Sequence, residues 1–200
     1  MKKTKEHETF LLENWGDTAK LINCVNDIEG NMASCLQNEV KARLIESEWW
    51  DKKQFEAPMF YSNYSEVGIC KKSWKIGTDK WDHVSLWVGK ISLDGLMGTA
   101  DEHPNAGIWS EKIRTKIDKP AKFAETFNLA AEKAKNSFKG IKIESDNDFI
   151  FYYELKQSPD EWIEILRKGT FAENIMDAFN NLALFIEPID RALSEVRRKA

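Results

Sequence analysis

The stretch from Phe55 to Ala100 constrains the fold most, because strand-forming residues alternate there between clusters of turn residues. Val67 and Ile69, then Trp74 and Ile76, mark a half-buried strand interrupted at Cys70-Lys71-Lys72-Ser73, an interruption that suits a bulge. Gly77-Thr78-Asp79-Lys80 is a turn cluster. The pattern resumes from Trp81 to Ile91, where Val84, Leu86 and Val88 alternate with Ser85, Trp87 and Gly89. Leu93-Asp94-Gly95-Leu96 reads as a tight turn, and Met97-Gly98-Thr99-Ala100 as the next strand. Successive strands joined by short turns predict an antiparallel meander. Such a sheet needs helices over its apolar face.

The rest of the chain supplies them. In residues 8–50, Leu21, Val25, Ile28, Met32, Leu36, Val40 and Leu44 recur at spacings of three and four, which predicts a helix. Gly30-Asn31 falls within the pattern, so the segment is either one long helix or two with a joint there. It either packs on the sheet or projects as a dimerisation arm. Trp49-Trp50 ends the pattern and suits closure of the core. Residues 101–108 (DEHPNAGI) read as a loop, and Trp109 to Ile117 as a short helix with Ser110 as its cap. A clearer helix runs from about Ala121 to Phe138 and stops at Gly140. Ile141–Glu144 and Phe149–Leu155 read as a hairpin around a polar turn. Ser158-Pro159-Asp160-Glu161 has the signature of a capping box, Lys168-Gly169-Thr170 ends that helix, and Pro188 kinks or splits the last one. The expected fold is therefore α+β: an antiparallel meander packed against helices, with a long N-terminal helical segment. Residues 1–52 form that segment and residues 53–200 the core, in what is expected to be one cooperative domain.

The composition bounds the function. Apolar residues make up 42% and charged residues 31%, which argues against disorder. A net charge of −4 makes a nucleic-acid partner unexpected. No apolar run approaches the length of a membrane span, and the lysines near the N-terminus precede no apolar segment, so a cytoplasmic protein is expected. Cys24, Cys35 and Cys70 are odd in number and lack metal-ligand spacing, which suits free thiols.

Motifs with chemistry are few. No GxSxG elbow, phosphate-binding glycine loop, GxGxxG turn or HExxH helix occurs. Asp101, Glu102 and His103 are adjacent in a loop and read as solvated, so no metal or cofactor is expected. Cys70 has no specific base to activate it. Glu154 and Lys156 share a strand face, with Asp146 before them and Glu144 on the partner strand. Such carboxylates can hold Mg²⁺ beside a lysine, as in PD-(D/E)xK nucleases. That set (Glu144, Asp146, Glu154, Lys156) is the enzymatic alternative.

The run VGICKKSW, the strand HVSLWVGKI, the following LMG and the helix EWIEILRKGTFAENIMDAF resemble the region after the nuclease core in uncharacterised bacterial PD-(D/E)XK-superfamily proteins. The resemblance spans roughly residues 20–195 and implies an accessory, non-catalytic module without assigned site residues. The surplus of tryptophan and tyrosine around strands and turns, with no catalytic set to explain it, makes the leading expectation a binding module for a protein partner, a class that an inhibitor, an immunity protein or a defence-related protein would fit. Tyr61, Tyr64, Trp74, Trp81 and Trp87 are its expected anchors, because aromatic residues dominate interfaces. A structural homodimer through the N-terminal helix is the remaining alternative.

Overall fold

The computed structural model describes residues 6–61, 65–80, 82–98, 103–110, 113–138, 149–155 and 157–197. The fold is α+β. Five strands make one antiparallel sheet in chain order: β1 (Met59–Tyr61), β2 (Glu66–Ile69), β3 (Ser85–Gly89), β4 (Asn105–Trp109) and β5 (Phe149–Glu154). Side chains alternate across a strand, so register sorts them onto two faces. Val67 pairs with Val88, Ile69 with Leu86, Leu86 with Ile108, Ile108 with Phe151 and Ala106 with Tyr153. These residues form the core face and are buried.

The helices are α1 (Glu6–Glu13), α2 (Trp15–Cys35), a π-helical turn (Leu36–Val40), α3 (Lys41–Glu46), α4 (Leu93–Met97), α5 (Ile113–Lys116), α6 (Pro120–Asn136), α7 (Pro159–Lys168), α8 (Phe171–Ala183) and α9 (Ile186–Arg197). Helix α8 lies on the core face through Ile175, Phe179 and Leu182, which are fully buried. Phe185, between α8 and α9, joins the layers. Its ring centre lies 4.5 Å from that of Phe151 on β5 and 6.1 Å from that of Phe127 on α6.

Several sequence expectations are met locally. Ser158 caps α7: its hydroxyl accepts from the Glu161 backbone N–H, and the Glu161 carboxylate accepts from the Ser158 N–H. Gly169 ends that helix at φ +68°, a conformation favouring glycine. Pro188 falls in the first turn of α9, so the last helical pattern is split. The N-terminal helix runs through Gly30 without a joint and continues to Glu46 by way of the π turn. That turn winds more residues per revolution, so Leu36, Val40 and Leu44 share one buried face at spacings of four.

Other expectations are corrected. The strand expected at Met97–Ala100 is not one at Met97, which belongs to α4. Ser92 accepts from the Gly95 N–H and caps this helix, and Leu93, Leu96 and Met97 have its spacing of three and four. The loop expected at residues 101–108 contains most of β4, and Trp109 ends that strand without starting a helix. Gly107 conceals it: the strand passes so close to β5 that a Cβ there would meet the Phe151 carbonyl oxygen at 2.5 Å. The strand expected through Ile76 ends at Ile69 and gives way to a 3₁₀ turn at Lys72–Trp74, with isolated bridges Phe55–Lys71 and Lys75–His83. The expected strand Ile141–Glu144 lies outside the described residues, and β5 pairs with β4.

Candidate binding surfaces

The face of the sheet opposite the core carries an aromatic row. Gly68 and Gly107 pair in register with Trp87 on either side, and without side chains they leave room for the indole. A Cβ at Gly68 would lie 3.0 Å from that ring. Tyr61 stacks on Trp87 at 4.9 Å, and Trp109 stacks on its other side at 6.0 Å. Trp87 thus points away from Leu86 and Val88, yet only 9% of it is open. Burial pushes the Tyr61 phenol up from its ordinary value.

The row ends at His83, whose ring centre is 5.5 Å from that of Trp109. Nδ1 lies 3.0 Å from the Lys80 carbonyl oxygen. A carbonyl only accepts, so Nδ1 carries the proton and Nε2 is the bare nitrogen. Burial pushes the His83 pKa down, so the ring is neutral at physiological pH. Nε2 and the Ser85 hydroxyl are both buried without a hydrogen-bond partner, hence not bonded to each other. No nucleophile–base pair forms there.

Of the other expected anchors, Trp74 lies elsewhere. It is fully buried, and its indole N–H donates to Asp190 on α9 at 2.7 Å. The Lys71 ammonium donates to the same carboxylate at 2.5 Å and sits 5.6 Å from the Phe55 ring centre. This cluster locks α9 onto the 3₁₀ turn. Tyr64 and Trp81 lie outside the described residues.

Of the carboxylate set, Glu144, Asp146 and Lys156 lie outside the described residues, while Glu154 is exposed at the end of β5 opposite Asn105. Among the described residues, no group of three or more His, Cys, Asp or Glu side chains is placed to hold a metal ion. Burial pushes the Cys70 thiol up to about 12, and the Glu56 carboxylate beside it, 3.8 Å away, adds to the rise. Such a thiol is inert as a nucleophile at neutral pH.

The second surface lies on α1 and α2. Eight of the eleven large apolar side chains exposed among the described residues fall between Phe10 and Ile28. Each leaves between 40% and 67% of itself open. At 100° per residue, Leu21, Ile22, Val25 and Ile28 share one side of α2. The same line continues into Met32, Leu36, Val40 and Leu44, which are buried. The helix thus changes from open arm to core element at Met32. Farther along, Arg43 pairs with Glu173 of α8 at 2.8 Å, and the Trp49 indole N–H donates to Asn180 of α8 at 3.0 Å. Sequence spacing found the stripe but had no means of telling which half of it α8 covers.

No described helix is long and apolar enough to cross a membrane. Models of known protein families, curated proteins and solved structures offer no match to this chain.

Proposed function

We propose that this protein is a non-catalytic interaction module that docks a protein partner through its N-terminal helix. One observation supports this reading above the others: the concentration of open apolar side chains between Phe10 and Ile28, on α1 and on the part of α2 whose next turns are core. A large contiguous apolar surface on a folded chain marks an interaction site. The aromatic row of the sheet is a poorer candidate for the primary contact, because Trp87 is already enclosed by Tyr61 and Trp109.

Cys24, exposed on α2, offers a native handle for a test. A photoreactive maleimide placed there, in a Cys35→Ser background, is irradiated in lysate of the source cell. The expected product is one discrete adduct with another protein, lost in a Leu21→Asp, Ile28→Asp variant. An adduct pattern unchanged by those substitutions, or none, overturns the proposal.

A further inference from the structure

We infer that the partner presents a basic, amphipathic helix to this arm, an inference that rests on the docking reading above. The argument starts from the covered half of the stripe. There the occupant is itself a helix: α8 packs against the π turn that carries buried Leu36 and Val40, and Arg43 of α3 meets Glu173 at its edge. The open half presents the same kind of apolar line, Leu21, Val25 and Ile28, at the spacing of four and three that a second helix fits.

The charges select which helix. Between residues 7 and 31 the sequence holds five acidic side chains (Glu8, Glu13, Asp17, Asp27, Glu29) and one lysine, Lys20. Lys20 is engaged by Asp17 at 2.9 Å. No cation opposes Glu13, Asp27 or Glu29 among the described residues. Glu29 is the most telling of these. It follows Val25 by four residues and Ile22 by seven, so it lies at the apolar stripe itself. A carboxylate enclosed by an interface needs a cationic partner, because desolvation without one is costly. Parallel pairing with a second copy would set Glu29 against Glu29 and surround the seam with acids of one sign. Like charges so placed destabilise, whereas lysine or arginine flanking a leucine seam would complement them.

The full-length chain tests this with two synthetic helical peptides. Both carry leucine at the seam positions of three heptads; one has lysine at the flanking positions and its twin has glutamate. Binding is followed by calorimetry, with sedimentation velocity on the protein alone. The expected result is that the lysine peptide binds at least tenfold tighter than the glutamate twin and weakens as salt rises. Leu21→Asp with Ile28→Asp should weaken it at least tenfold. Those substitutions add negative charge, so purely non-specific attraction to a basic peptide would strengthen instead. Glu29→Lys should narrow or reverse the preference between the twins.

Equal binding of both peptides, or tighter binding by the Leu21→Asp, Ile28→Asp variant, overturns the inference. A dimer of the protein alone that depends on Leu21 and Ile28 also overturns it, while leaving the arm as a docking element. Neither peptide binding, no dimer and no adduct at Cys24 would overturn both readings.

Discussion

Among individual residues, burial rather than sequence neighbourhood determines chemical character. Cys70 sits in a lysine-rich run but in the fold faces Glu56 and apolar neighbours, so its thiol stays protonated. A thiol-reactive disulfide reagent at about pH 8 should therefore label exposed Cys24 readily, half-buried Cys35 more slowly, and Cys70 only after denaturant is added. Prompt labelling of Cys70 in the folded protein would contradict its burial. His83 gives a second prediction. Its folded pKa lies below the ordinary 6.5, so below that pH the unfolded chain binds a proton that the folded chain resists. Its contribution to stability is full above pH 6.5 and declines as pH falls toward the folded value. Burial is the main cause of the lowering and the Lys75 charge adds to it, against the Lys80 carbonyl, Glu56 and Asp82, which favour the charged ring. Melting temperature should thus fall on acidification from about pH 7 to about pH 5. The fall should be shallower in His83→Gln; identical slopes would refute the assignment. Neither residue's state was legible in the sequence, because Lys75 and Glu56 reach these sites only through the Lys75–His83 bridge and the return of the chain before β1.

Secondary-structure elements were legible where a local signal determines the outcome, and α7 is the clearest case. Ser158, Pro159 and Glu161 specify its start within four residues, and the reciprocal bonds between Ser158 and Glu161 form as that pattern requires. Replacing Ser158 with Ala removes one acceptor for the orphaned backbone donors and should destabilise the protein by about 1 kcal/mol. Chemical denaturation measures this directly, and an unchanged midpoint would mean that the cap is redundant with the packing of buried Trp162. Elements set by long-range partners were read less well. β4 offers only Asn105, Ala106 and Gly107 before Ile108, a run with no strand signature. It is a strand because Leu86 and Phe151 on its neighbours present their backbones and apolar faces to it. α4 shows the converse: Asp94-Gly95 looks like a hairpin turn, but the Ser92 cap and the spacing of Leu93, Leu96 and Met97 favour a helix. The candidate surfaces follow the same division. The spacing of the arm's stripe was plain, whereas the enclosure of Trp87 and the burial of Trp74 depend on the residues that fold brings beside them.

For the whole molecule, the N-terminal helix is two things in one element, and truncation separates them. Up to Ile28 its apolar side chains are open, so they contribute little to the stability of the body. Removing residues 1–28 should shift the melting temperature by less than about 4 °C, the effect of roughly 1 kcal/mol in a domain of this size. From Met32 onward the same helix belongs to the core. A cut after Glu46 removes Met32, Leu36, Val40 and Leu44, all buried under α8 and its neighbours. Each such loss costs about 2–5 kcal/mol, and four of them together match or exceed the roughly 5–15 kcal/mol that holds a domain folded. The longer truncation should therefore yield a chain without a cooperative transition, while the shorter one melts like the parent. If both melted alike, the helix would be an appendage along its full length, and its stripe at Leu36 and Val40 would be as free for a partner as the stripe at Val25. If both failed to fold, the open side chains would be covered in the native assembly and needed for its stability, which would make the arm an obligate interface.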